Sequence, residues 1–250
     1  MSDASDAPSF VDATLVDADF TNATLRGPVL SGLSVTDGWI VDVDLSGMVR
    51  NLTVNGVDVT PYVQAELERR VPERALIRTM ATADDHRAAW AAIERRWDAT
   101  LVRVDALPES AASARVNDEW SFVETLRHLV FAIDIWVQRT ILDVEHPYHP
   151  LGLPHSGYRG EQATAMGLDL DAAPDLGTAL AAWRDRCDIV GRVITDLHND
   201  DLTRVCARTP VPDYSDGGAL TVGRCLHVVM DEMIEHREYA NRDLDLLAAD

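Results

Sequence analysis

The sequence predicts a mainly α-helical protein in which a short β-solenoid precedes an up-down four-helix bundle. Apolar residues recur every five residues near the N-terminus, and four long segments further on carry them at spacings of three and four. Hydrophobic residues make up 46% of the chain and charged residues 26%, which is ordinary for a protein with a buried core. We assign residues 1–60 to the solenoid, 61–83 to a linker with a short helix, and 84–250 to the bundle.

The N-terminal repeat extends from Val11 to about Val49. Its large apolar residues lie five apart, at Leu15, Phe20, Leu25, Leu30, Val35, Ile40 and Leu45. A helix would need spacings of three and four, whereas a period of five suits a four-sided β-solenoid in which each pentad forms one side. The segment resembles the pentapeptide-repeat fold. About eight pentads make only about two coils, so this solenoid should lean on another structure.

The linker segment YVQAELERRVPER reads as a short helix that ends at Pro72. Four long helices are predicted after it, each with one apolar stripe. Ser121 and Glu124 form a capping-box pair at the start of the second one. One short and two longer loops between helices of this length favour a four-helix bundle. The predicted ranges are about Asp84–Leu107, Ser121–Leu142, Asp175–Leu197 and Thr221–Leu247.

The charge and the cysteine content exclude several classes of function. A formal net charge of -20 would repel phosphate backbones and anionic lipids, so we expect no nucleic acid and no membrane partner. Three cysteines without a C-x-x-C pair form no disulfide framework and favour a reducing cytoplasm. The N-terminal segment lacks a basic start with an apolar stretch, and no window approaches the roughly 18 apolar residues of a membrane span.

The fourth helix carries a metal-chelating pair. Glu232 and His236 are four residues apart, so they project from one face on successive turns. Five apolar residues of the same helix fall within about 60° of His236, which directs the pair toward the bundle centre. These are Val222, Val229, Met233, Ala240 and Leu247. Burying an unpaired carboxylate costs several kcal/mol, and a bound cation offsets that cost.

We select His128, in the second helix, as the third ligand. His227 and Asp231 are left out because His227 lies about 180° from His236 on the helix. Three ligands of the His/Glu/His kind leave a position for water or substrate, as in catalytic sites. Zinc is favoured, and nickel, manganese or iron would also accept this set. The alternative is a helix-surface pair with an unrelated core histidine.

Two segments, Glu119–Trp136 and Cys225–Leu247, resemble the second and fourth helices of the DinB-like metalloenzyme superfamily. The resemblance implies a four-helix bundle with one ligand on the second helix and two, four residues apart, on the last. Many members have two histidines there, whereas this chain has Glu232 and His236. Its ligand set looks more like that of mycothiol-dependent maleylpyruvate isomerase, a zinc enzyme. The resemblance covers about Asp84 to the C-terminus, with a pentapeptide-like segment ahead of it.

The resemblance also implies a reaction. Members of this superfamily commonly activate a low-molecular-weight thiol such as mycothiol or bacillithiol, and related domains serve in ergothioneine synthesis. Our first hypothesis is therefore a metal-dependent thiol S-transferase or isomerase that acts on a small electrophilic substrate. Metal-dependent hydrolysis and a non-catalytic interaction protein with a structural metal are the alternatives. A homodimer is favoured because the solenoid has open edges.

Four further residues are candidates for substrate contact. Arg237 and Tyr239 lie within about 100° of His236 on the last helix. His149 and His155 lie in a loop rich in proline and glycine after the second helix, where they could reach a substrate or remain solvent-exposed. Cys187 and Cys225, which lies near the start of the last helix, are predicted to be buried inert thiols. No catalytic residue beyond the ligands is assigned.

Overall fold

The computed structural model describes residues 9–25, 28–47, 49–155, 160–211, 214 and 218–248. Its chain divides into two compact units, Met1–Val49 and Arg50–Asp250. The described residues are mainly helical, which confirms the predicted class. Parts of the predicted repeat (26–27 and 48) and of the histidine-rich loop (156–159) lie outside the described residues.

The first unit has a backbone turn every five residues. Positive φ angles recur with this period, at Asp12, Asp17, Asn22, Gly32, Asp37, Asp42 and Gly47. Aspartate, asparagine and glycine tolerate this conformation better than other residues, which explains their positions in the repeat. The described residues of this unit form no strand, however, and the seven apolar residues of the repeat are between 45% and 65% exposed. No buried solenoid core is therefore shown, and the solenoid remains a prediction.

The second unit begins with a two-stranded hairpin, β1 (Thr53–Val54) paired with β2 (Val57–Asp58). The turn between them is Asn55–Gly56, both with positive φ, as a two-residue hairpin loop requires. Two helices follow, α1 (Thr60–Arg70) and α2 (Pro72–Thr79). Pro72 was predicted to end a helix, but it also begins the next one. Proline suits the first turn of a helix because the N–H that it lacks would have no partner within the helix.

The four predicted long helices all form, within two residues of their predicted starts. Ser121 caps the second one through the predicted capping box with Glu124. The helices are α3 (Ala83–Asp105), α4 (Phe122–Ile133), α6 (Leu176–Thr195) and α7 (Val222–Leu247), with a short α5 (Glu161–Ala165) before α6. Both α3 and α4 pack against α6 and α7, so α3 lies across the bundle from α4, and α6 lies across it from α7. Among the described helices, none is both long and apolar enough to span a bilayer.

The predicted apolar stripes form the bundle core. Trp97 is 1% exposed and packs against Trp183 of α6 with ring centroids 5.0 Å apart. Its indole Nε1 donates a hydrogen bond of 3.1 Å to the backbone carbonyl of Met233. This bond fixes α3 against α7 at the residue that follows Glu232. The core therefore sets the position of the last helix directly beside the predicted ligand pair.

Helix α4 continues into a π-helical segment, Asp134–Ile141. The side chain of Asp134 is fully buried at the junction, and its Oδ1 accepts a hydrogen bond of 2.9 Å from Arg186 Nε of α6. Its Oδ2 accepts the backbone N–H of His149 at 2.8 Å. Burial raises the pKa of Asp134 to about 6, although the charge of Arg186 opposes that rise. The ion pair thus holds the π-helical segment, α6 and the following loop together.

We predict that Arg186→Leu lowers the free energy of unfolding by about 3–5 kcal/mol at about pH 8, because it leaves a buried carboxylate unpaired. Without Arg186 the pKa of Asp134 rises further above the unfolded value of about 3.9. The folded protein then holds a proton that the unfolded chain lacks, so stability falls as pH rises through this range. The loss should accordingly be smaller at about pH 5 in urea unfolding.

The double variant Asp134→Asn with Arg186→Leu is the matched control for this ion pair. It carries no buried carboxylate at this position, so its loss of stability relative to wild type should not grow as pH rises from about 5 to about 8. An equal loss for Arg186→Leu at both pH values would contradict the assignment.

Candidate metal centre

Helix α7 presents Glu232 and His236 on successive turns of the same face. Four of the five apolar residues predicted for the inward face are buried, namely Val222, Val229, Met233 and Ala240, and Leu247 is partly buried. Glu232 and His236 themselves are half-buried, with side chains 33% and 17% exposed. They therefore lie at the edge of the core, where a bound ion can still be reached from solvent.

Helix α4 presents His128, which is 6% exposed, toward the same point. The backbone carbonyl of Leu153 accepts a hydrogen bond of 2.9 Å from its ring Nδ1. A carbonyl cannot donate, so Nδ1 carries the proton and, in the neutral imidazole, Nε2 keeps a free lone pair. Metal-binding histidines are commonly oriented in this way by a partner on the other ring nitrogen.

The loop that supplies this carbonyl is held by Arg127, which precedes His128 and is 3% exposed. Its guanidinium donates to the carbonyls of Leu151 and Asp169 at 2.9 and 2.7 Å, and also to that of Ala172. The N–H of Leu153 in turn donates to the Arg127 carbonyl at 3.1 Å. The orientation of the His128 ring is therefore fixed by hydrogen bonds to backbone groups of the loop, which Arg127 holds in place.

Ligand atoms of His128, Glu232 and His236 lie within 4.8 Å of one another. Both imidazole Nε2 atoms face the same oxygen, Oε2 of Glu232, at 3.3 Å for His128 and 3.1 Å for His236. Tetrahedral coordination with bonds of about 2.0–2.1 Å gives ligand-to-ligand distances of about 3.3–3.4 Å. The two distances to Glu232 are close to this value, so the three residues could hold one shared ion.

The electrostatics of the cluster favour a cation. Burial raises the pKa of Glu232, but hydrogen bonds from His128 and His236 lower it further, so the net shift is well below its usual range. Glu232 is therefore an anion near neutral pH. A divalent ion would displace the protons of these two hydrogen bonds, and the Nε2 lone pairs of both imidazoles and the carboxylate oxygen would then all bind the ion.

Other histidines of the long helices have partners elsewhere. His227 and Asp231, which the sequence analysis left out of the site, pair with each other at 3.3 Å and are 42% and 46% exposed. His86 also lies on a long helix, α3, and the selection of His128 did not consider it. Its Nδ1 is 2.8 Å from the carbonyl of Thr82 at the helix start, away from the cluster.

Two aromatic rings flank the cluster. The Trp120 ring lies 4.7 Å from that of His128 and 5.9 Å from that of His236, centroid to centroid. Tyr239 meets His236 edge-on at 5.8 Å. Trp120 is not among the residues predicted for the site. Its position directly before the capping Ser121, about two helical turns from His128, was the signal that could have identified it.

The remaining candidates for substrate contact have the following surroundings. Tyr239 donates its hydroxyl to Glu235 at 3.2 Å, and Arg237 donates through Nε to the backbone carbonyl of Arg96 at 3.0 Å. The Nδ1 of His149 accepts the N–H of Leu151 at 3.1 Å. The ring contact with His236 places Tyr239 beside the cluster. Arg237 and His149 form their hydrogen bonds with other parts of the chain.

His155 is exposed but lies within electrostatic range of the cluster. Desolvation and the charge of His128 lower its pKa, and the charge of Glu232 opposes them. It is not among the residues that share the candidate ion. Its role in substrate contact remains a prediction, as do those of Tyr239, Arg237 and His149.

Comparison with known proteins identifies a family. The family model described as the DinB superfamily matches residues 92–240, more than half of the chain. No curated protein and no solved structure matches the chain. The matched span includes all three residues of the cluster.

We predict that Glu232→Gln and His236→Ala each lower zinc affinity by more than the roughly 10–100-fold that loss of an outer-shell partner costs. The amide keeps the shape of the carboxylate and loses its charge. Competition with a zinc-binding dye measures the affinity. Asp231→Asn and His227→Ala are matched controls on the same helix and should bind zinc like the wild type. Equal affinity in all four variants would exclude the site.

We also predict that Trp120→Ala lowers zinc affinity by about tenfold, because the indole packs against both imidazoles and restricts their rotation. Trp120→Phe keeps an aromatic ring there and should lose much less. Trp136→Ala is the control, since that ring packs edge-on against Tyr214 at 5.5 Å. The dye competition, together with thermal unfolding to check folding, measures the effect. A wild-type affinity in Trp120→Ala would remove this role.

Proposed function

The chain belongs to the DinB superfamily, and from that premise we propose that it is a divalent-metal enzyme, with zinc favoured, that activates a low-molecular-weight thiol. The thiol would be transferred to a small electrophilic substrate or would assist its isomerisation. The observation that carries this proposal is the cluster of His128, Glu232 and His236. Three protein ligands leave at least one position for a co-substrate.

The charge of the ligands supports thiol chemistry. Glu232 supplies one negative charge and the two imidazoles none, so a site with a divalent ion keeps one net positive charge. When bound, such an ion acts as a Lewis acid that favours a thiolate over a thiol at neutral pH. The half-buried Glu232 and His236 leave this position accessible, while Trp120 and Tyr239 give it apolar walls.

Mycothiol is the thiol we propose first, with ergothioneine and bacillithiol next. The support is the resemblance of the His/Glu/His set to that of mycothiol-dependent maleylpyruvate isomerase. Tyr239 and His155 are the proposed substrate contacts with the most direct support, because the Tyr239 ring meets the His236 ring edge-on and His155 lies close enough to Glu232 for that carboxylate to affect its pKa. Arg237 and His149 are kept as further candidates.

For the first unit we propose a short solenoid with a five-residue period, which offers an edge for a homodimer. The support is the positive φ angle that recurs every five residues in its described part. Exposed apolar residues of the repeat give it surface to cover.

We predict that zinc-loaded protein consumes free thiol in the presence of a generic electrophile such as chlorodinitrobenzene. Mycothiol, ergothioneine and bacillithiol are tested in parallel, and free thiol is followed colorimetrically. His236→Ala should lose at least about 100-fold in rate, because it loses the ion that lowers the thiol pKa. Asp231→Asn should match the wild type.

The outcomes separate the alternatives. Bound zinc with turnover of ester or amide substrates and no thiol dependence would point to a hydrolase, in which water takes the open position. Bound zinc without any turnover, combined with lower stability after chelation, would point to a structural metal. Absence of zinc binding in purified protein challenged with zinc would overturn both enzyme hypotheses.

A further inference from the structure

Two of the three cysteines meet at the start of α7. Val205 and Thr221 form an isolated antiparallel bridge, and Cys206 donates its N–H to the carbonyl of Leu220 at 2.8 Å. Cys225 lies in the first turns of α7 and donates its N–H to Thr221 at 3.0 Å. Side chains of a helix tilt toward its N-terminus, so Cys225 points back toward the bridge.

The two thiols share a side-chain hydrogen bond. Burial raises the pKa of both, but the hydrogen bond opposes this rise at Cys206 and adds to it at Cys225. Cys206 is partly exposed and Cys225 is fully buried, so a small disulfide in solution reaches Cys206 first. The contact between an accessible thiol and a buried one allows the buried thiol to resolve a mixed disulfide formed at the accessible one.

We propose that Cys206 and Cys225 form a reversible intramolecular disulfide when the protein meets the disulfide of a low-molecular-weight thiol. The sequence analysis read Cys225 as inert, and the metal centre does not use it. The inference stands apart from the proposed activity, because neither cysteine belongs to the metal cluster.

The chemistry takes two exchange steps. The Cys206 thiolate attacks one sulfur of the small disulfide, forms a mixed disulfide and releases one small thiol. Cys225, on losing its proton, then attacks the Cys206 sulfur, forms the protein disulfide and releases the second small thiol. Two protein thiols are oxidised, one small disulfide is reduced, and the two protons end on the released thiols.

The disulfide would join the segment around Val205 to α7 covalently. Cys225 precedes Glu232 by about two helical turns, so the link anchors the helix that carries two of the ligands. It closes a loop of about 20 residues, which restricts the unfolded chain. Oxidised protein should therefore unfold at a temperature about 5–10 °C higher than reduced protein.

The experiment incubates the full chain with oxidised glutathione, alkylates the remaining thiols after denaturation, and maps peptides without reduction. We expect a peptide pair linked through Cys206 and Cys225, with Cys187 alkylated, and reversal by dithiothreitol. Cys187→Ser is the matched control and should form the same link. The melting temperature of each form is measured in parallel.

Single variants distinguish the two roles. Cys225→Ser should accumulate a mixed disulfide with glutathione at Cys206, because no resolving thiol remains, whereas Cys206→Ser should form neither product. All three thiols alkylated in the wild type, a link through Cys187, or a mixed disulfide that persists in the wild type would each overturn the proposal. Zinc affinity of the same variants is a separate readout, so failure here is distinguishable from failure of the metal centre.

Discussion

The Glu232 carboxylate, held between two imidazoles at the edge of the bundle core, is the interaction on which the proposed function depends. Its oxygen lies 3.1 and 3.3 Å from the two ring nitrogens. Helix propensity does not require a carboxylate at position 232. The position of the carboxylate is set by the apolar residues of α7, whose burial turns this face of the helix toward the core. The indole of Trp97, hydrogen-bonded to the carbonyl of Met233, fixes the helix one residue away. The core thus determines the geometry of the site.

Other buried charges in the bundle differ from this cluster in a way that bears on function. Arg127 donates to three backbone carbonyls, and Asp134 accepts from Arg186, Gln138 and the backbone of His149. In both cases donors meet acceptors within the chain, as expected of structural groups. At Glu232 the facing groups are two imidazole nitrogens, and His128 can donate to the carboxylate only as an imidazolium, because its Nδ1 proton is already donated to Leu153. A divalent cation would take the place of these protons and leave both imidazoles neutral, which is why the cluster reads as a binding site.

The long helices and the inward face of α7 were predictable because each follows from a local pattern. A period of 3.6 residues directs Glu232 and His236 inward, and Ser121 with Glu124 marks the start of α4. The second linker helix was missed because Pro72 was read as a stop when it begins a helix. The π-helical segment and the contact between Trp120 and the imidazoles depend on tertiary packing, which no local period encodes. The Asn-Gly turn was a readable hairpin signal that the analysis did not use.

The position of the cluster also links folding to chemistry. His128 and Glu232 are 104 residues apart in the chain, so only the folded bundle brings the three ligands together. An ion that binds the folded state alone stabilises it in proportion to its affinity and concentration. Stabilisation by metal is therefore expected whether or not the protein is an enzyme, and it cannot by itself identify a structural role. The two roles would differ at the fourth coordination position, which a purely structural site fills with a fourth protein ligand, whereas the cluster contains three ligands among the described residues.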